Sequence, residues 1–139
     1  MKRSRDTRTG GVLERMVLPA LEHGGYRYTA HVDIGKRVGL GRHIVDVVAE
    51  SPTQQLLVSM KWQQVSGTAE QKVPFEIICL LNAIELGPYT KAYLVLGGEG
   101  WTLRGFYVGE GLKKYLHYAD KVEVLTLESF VAKANAGQL

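Results

Sequence analysis

Apolar residues recur along the chain in two rhythms, and the change from one to the other predicts its elements. Val12, Leu13, Met16, Val17, Ala20 and Leu21 return at helical spacing and stop at Gly24-Gly25, which predicts a helix. From Tyr26 the rhythm becomes alternation. Tyr26, Tyr28, Ala30, Val32 and Ile34 are set against Arg27, Thr29, His31 and Asp33, the pattern of a half-buried strand. Gly35 to Gly41 reads as a turn, His43 to Ala49 as a second strand, and Gln55 to Trp62 as a third, with turn chemistry at Glu50-Ser51-Pro52-Thr53 between them.

A long helix is predicted after Ser66-Gly67, with Thr68 and Gln71 as a capping box and an end at Gly87-Pro88. Pro74 lies inside it, so a kink or a later start near Val73 is expected. Phe75, Ile77, Ile78, Leu80, Leu81 and Ile84 leave this helix little polar face, which predicts burial. Ala92 to Leu96 reads as a fourth strand and Leu103 to Leu116 as a helix. Val122 to Leu125 reads as a last strand, and a final helix capped by Thr126 ends at Gly137. The order α-βββ-α-β-α-β-α implies an α/β fold with a mixed sheet and helices on its faces.

A tight turn at Pro52-Thr53 makes the second and third strands an antiparallel hairpin and sets Asp46 opposite Ser59. Alternation then puts Ser59, Lys61 and Gln63 on the face of Asp46. These polar residues interrupt apolar runs, Ile44-Val45 and Val47-Val48 around Asp46 and Leu56-Leu57-Val58 before Ser59. A charge in such a place is paired or binds a metal. An ordinary Asp46–Lys61 cross-strand ion pair satisfies the same pattern.

The chain's 139 residues suit one domain, and its 45% hydrophobic content suits an ordinary globule. The net charge of +3 is carried by residues 1–8, where Lys2, Arg3, Arg5 and Arg8 face one acid, Asp6. We therefore divide the chain into a basic flexible arm, 1–10, and a single domain, 11–139. The arm is a candidate phosphate or DNA contact, with a solubilising tail as the alternative. One cysteine, Cys79, excludes an internal disulfide and a cysteine-based zinc site. No signal peptide or membrane-length apolar run is visible, so a cytoplasmic, intracellular setting is expected.

The stretches His43-Ile-Val-Asp46 and Val58-Ser-Met-Lys61-Trp62-Gln63 resemble the paired strands of the PD-(D/E)XK nuclease superfamily, whose restriction-endonuclease-like core has the order αβββαβ. The family pattern is an Asp on the second strand and an acid-x-Lys motif on the third. The resemblance spans about Val12 to Leu125. Ser59 stands where the acid two residues before the lysine is usual. That departure is similar to one branch of the restriction enzymes, which takes its second acid from the following helix. Glu70 and Glu76 are the acids available there. Glu76, with 14 residues between it and Lys61, better matches that branch's gap. A surface pair with Lys72 is the plain alternative for Glu76.

The resemblance implies a Mg²⁺- or Mn²⁺-dependent endonuclease acting on DNA, of restriction or branched-DNA type. Asp46 and Glu76 would be metal ligands, with the Met60 carbonyl as a third oxygen. Lys61 would position the attacking water or stabilise developing charge. Ser59 and Gln63 would be supporting or phosphate contacts, and Glu14 on the first helix a further support of the metal. Two DNA strands call for two sites, so a homodimer or larger assembly is expected. The rival reading is a non-catalytic DNA-binding or interaction module with a decayed site, which the serine at 59 favours. Action on RNA is a third reading. His23, His31, His43 and His117 lack paired ligand spacing. His43, three residues before Asp46, faces the other way on a regular strand. Gly39-Leu-Gly41 and Gly97-Gly-Glu-Gly100 lack the lysine of a P-loop and read as turns. Trp62 and Trp101 read as core.

Overall fold

The computed structural model describes residues 11–139 other than 37 and 40, so the basic arm lies outside the described residues. The first helix, α1, is one π-helical stretch, Leu13–Val17, continued as α-helix over Leu18–His23. Five strands follow: β1 (Arg27–Lys36), β2 (Arg42–Ser51), β3 (Gln54–Trp62), β4 (Lys91–Gly97) and β5 (Val122–Thr126). They form one sheet in the order β1-β2-β3-β4-β5. The first three are antiparallel, and β4 and β5 run parallel to β3. The element order is the one the periodicity predicts, an α/β fold with a mixed sheet between helices.

The long helix α2 occupies Val73–Leu86, after a 3-10 turn over Thr68–Lys72. Pro74 thus sits in the first turn of α2, where its missing N–H has no intrahelical partner to lose. The expected capping box does not form, because Gly67 is the N-cap of the 3-10 turn and no side chain caps it. Nor is α2 buried all round: Phe75, Ile78 and Leu86 are exposed. The predicted helix over 103–116 shrinks to α3 (Arg104–Val108) and a 3-10 turn at Lys113–Tyr115. Gly109 is extended, which ends the helix at Val108. The last helix, α4 (Leu127–Asn135), is capped as expected, the Thr126 hydroxyl accepting the Ser129 N–H at 3.2 Å.

Two apolar layers flank the sheet. On one face Val47, Ala49, Val58, Met60 and Tyr93 pack with Leu13, Val17 and Leu21 of α1 and Phe130 and Ala134 of α4. On the other Val45, Val48, Leu57, Leu94 and Leu96 pack with Val73, Ile77, Leu80 and Ile84 of α2. Val45 and Val48 therefore share a layer although they are three apart, which a regular strand forbids. The break lies at Asp46. In the β1–β2 register Ala30 pairs Val47 and Val32 pairs Val45, and the position between them, His31 opposite Asp46, is unpaired. His31 has a left-handed φ of 56°. The facing of the hairpin switches there, and its outer half turns onto α2.

Candidate active site

The β2–β3 register runs from Ser51↔Gln54 to Val47↔Val58, the alignment expected from the turn. Its next step would set Asp46 opposite Ser59, but the pairing ends. The Asp46 Oδ2 accepts the backbone N–H of Met60 at 2.6 Å. A continued ladder would bring Met60 opposite Val45, so the carboxylate replaces a strand carbonyl and the two strands part at this point. Beyond the parting, β3 stays in the sheet through its parallel partner, Ser59 opposite Leu94 and Lys61 opposite Leu96. The polar residues of β3 are thus held on a continuous strand while β2 swings away.

Glu76 arrives from the first turn of α2 and is 6% exposed. It makes no surface pair with Lys72. Its Oε2 accepts the Ser59 hydroxyl at 3.0 Å and contacts His43 Nε2 at 3.3 Å. His43 is itself 1% exposed. The expectation that His43 faces away from this site is therefore corrected. It assumed unbroken alternation, and the switch between His31 and Asp46 brings His43 round to α2. The one sequence signal at the switch is a histidine in mid-strand, a residue type several-fold enriched at left-handed φ but still rarely found there.

Lys61 is half-buried and, among the described residues, forms no ion pair within 4.0 Å, so the simple Asp46–Lys61 bridge is absent. Its charge nevertheless acts on both acids. Burial raises the Asp46 pKa above the usual carboxylate value, against the Met60 N–H and the charges of Lys61 and His31, and the nearby Glu76 charge raises it further. For Glu76 burial also pushes upward as the largest single influence. The His43 and Ser59 hydrogen bonds and the Lys61 and His43 charges together outweigh it, and the pKa is lowered.

The other expected site residues are placed differently. Gln63 donates its amide to the Gly100 carbonyl at 2.8 Å, so it braces the segment after β4. Glu70 accepts the Leu103 N–H at 3.0 Å, the Thr102 hydroxyl at 2.7 Å and the Thr102 N–H. The Thr102 hydroxyl is the main cause of its lowered pKa. Glu14 is exposed on α1, and among the described residues no hydrogen bond or ion pair joins it to Asp46, Lys61 or Glu76. Trp101 is core, as expected, and Trp62 packs against the α1–α4 layer.

A divalent cation would find hard oxygen donors here. Asp46 Oδ1 and Glu76 Oε1 carry no hydrogen bond among the described residues, and the two carboxylates repel each other, a repulsion a cation would relieve. No three described His, Cys, Asp or Glu side chains form a ready cage. An ion would rest on these two acids, backbone carbonyl and water.

A five-stranded mixed sheet whose acid-bearing second strand parts from a lysine-bearing third, beneath a helix-borne glutamate, defines a restriction-endonuclease-like α/β protein. The chain belongs to the PD-(D/E)XK nuclease superfamily: the model of that superfamily's domain matches residues 5–138. Among solved structures, the crystal structure of a protein of unknown function, AF1548, is similar at a TM-score of 0.49 and 15% identity, over 79% of this chain and 54% of that one. The chain thus spans about half the length of that relative. No curated protein matches. Among the described residues no helix is long and apolar enough to cross a membrane.

Proposed function

We propose that the protein is a Mg²⁺- or Mn²⁺-dependent endonuclease that hydrolyses DNA phosphodiester bonds, of restriction or branched-DNA type, with Asp46, Glu76 and Lys61 as its working residues. The observation that carries this reading is the hydrogen bond from Ser59 to Glu76, which brings the helix acid onto β3 at the family's acid position, with the Lys61 charge felt by both Glu76 and Asp46. The bound cation would polarise the scissile phosphate and make its water more acidic. Asp46, fixed by the Met60 N–H, and Glu76, fixed by Ser59, would each present one oxygen to it, and the Met60 carbonyl a third. Lys61 would hold the attacking water or stabilise charge developing on the phosphate oxygens. Ser59 occupies the family's acid position and serves as the donor that orients the acid supplied by the helix. Gln63 would be a supporting or phosphate contact and Glu14 a further support of the metal, neither hydrogen-bonded to the three working residues among the described residues. Two copies would be needed to cut both strands, so we expect a homodimer or larger assembly.

Plasmid DNA and four-way junctions should be nicked or cut in Mg²⁺ or Mn²⁺ and left intact in EDTA. Asp46→Ala and Lys61→Ala should each lower the rate at least about 100-fold. Full activity in both variants would refute the site. No cutting of any substrate by the wild type, with DNA binding retained, would favour the rival reading of a binding module, which the serine at 59 supports.

The arm offers a separate test. Deleting residues 1–8 should weaken DNA binding and reduce the slope of log affinity against log salt by roughly 0.9 for each phosphate that the arm neutralises. Circular dichroism should show the domain still folded. An unchanged slope would leave the arm as a solubilising tail.

A further inference from the structure

We propose that His43 is a positioning residue of this site, holding Glu76 to ligation through one oxygen and so favouring a small octahedral cation over calcium. The inference rests on the nuclease reading above and extends it to a residue outside the family motif.

Two strands and a helix converge on one atom. His43 comes from β2, Ser59 from β3 and Glu76 from α2, and both donors meet Glu76 at Oε2, at 3.3 and 3.0 Å. A carboxylate in this state only accepts, so the hydrogen bond places a proton on His43 Nε2. All three side chains are buried. Rotation of the carboxylate would strand a buried imidazole N–H and a buried hydroxyl, a cost of about 1–3 kcal/mol for each group. Oε2 is therefore committed to protein donors, and Oε1 remains for a cation.

That division decides which cation fits. Mg²⁺ takes six oxygens in a near-ideal octahedron and keeps several waters, so one oxygen from each of two acids suits it. Ca²⁺ takes six to eight oxygens and commonly uses both oxygens of a carboxylate. A glutamate clamped by one oxygen denies calcium the second. The clamp exists because the hairpin switches its facing between His31 and Asp46. On an unbroken strand His43 would lie on the other side of the sheet.

The test compares the full chain with His43→Leu, which fills the space without a donor, and His43→Gln, whose side-chain amide can donate in place of Nε2. Isothermal titration with Mg²⁺, Mn²⁺ and Ca²⁺ in the absence of DNA reads the site without cleavage. His43→Leu should lose about 10- to 100-fold in Mg²⁺ and Mn²⁺ affinity. It should lose much less for Ca²⁺, so the preference for magnesium collapses. His43→Gln should recover most of that preference. In cleavage assays the apparent metal constant should rise, with the rate at saturating Mg²⁺ changed far less. In the wild type the His43 Nε2–H proton resonance should persist and shift on adding Mg²⁺, a measurement that stands even where a variant fails to fold.

A folded His43→Leu with wild-type cation preference, or an Nε2–H resonance indifferent to Mg²⁺, would overturn the proposal and leave the nuclease reading intact. A wild type that binds none of the three ions would overturn both.

Discussion

Glu76→Ala is expected to reduce metal-dependent DNA cleavage by about 10²–10³-fold, a loss like that of one donor to a developing charge, while the thermal transition stays cooperative. With serine at 59, Asp46 is the only strand carboxylate at the parting of β2 and β3, and Glu76 is the acid that Ser59 touches. One carboxylate holds a divalent ion poorly. The same hydrogen bond also defines a rescue. Ser59 Oγ and Glu76 Oε2 are 3.0 Å apart, so an acid at either position would reach the same place. The double change Ser59→Glu with Glu76→Ala should therefore restore part of the activity, since removing the helix acid vacates the room a strand acid needs. Glu70→Ala is the control. It should loosen the segment at Thr102–Leu103, lowering stability more than turnover, because Glu70 accepts from that backbone. Normal cleavage by Glu76→Ala, measured on the same substrates and ions as the wild type, would remove the displaced acid from the scheme.

Gly24→Ala is expected to destabilise the fold by about 3 kcal/mol, the upper end of overpacking costs. That corresponds to a fall in Tm of roughly 10 °C at this chain length. A methyl group at Gly24 would lie 1.8 Å from the Ala134 carbonyl oxygen and 3.2 Å from the Gly137 nitrogen. Both obstacles are backbone, so neither can swing aside. The C-terminal ends of α1 and α4 meet at this glycine, and separating them would open the layer built on Leu21 and Phe130. Gly25→Ala is the comparison, since it meets nothing within 4 Å and is strained only by its φ of 91°. Thermal melts of the two variants should differ clearly. Equal, small shifts would mean that the two helix ends can part without cost.

The parts of this structure legible in the sequence are those fixed by local chemistry. Pro52-Thr53 sets a short turn, and the turn sets the β2–β3 register. Pro74 can stand only near a helix start, and Thr126 followed by Leu127 to Asn135 is a capped amphipathic helix. The parts that are not legible depend on distant partners. The helix expected over 103–116 has the right apolar spacing, yet Gly105, Gly109 and Gly111 shorten it, and the Glu70 carboxylate ties down its entry at Leu103. For the site, Asp46, Ser59, Lys61 and Glu76 can be named from family spacing. The meeting of Glu76 and Ser59 follows only from how α2 packs on the sheet. The facing of His43 escapes the sequence because it depends on one left-handed residue in the neighbouring strand.

That left-handed residue has a second consequence. β1 is an outer strand of the sheet, ten residues long, with its outer row of backbone groups open to whatever strand comes near. Because His31 departs from extended geometry, the row is cut into two short lengths, Arg27–Ala30 and Val32–Lys36, that cannot lie flat against one template. Arg27 and Asp33 add charge to each length. The kink that turns His43 toward Glu76 therefore also shortens the straight template that this sheet edge offers to a neighbouring strand, one of the ways in which sheet edges are blunted against stacking.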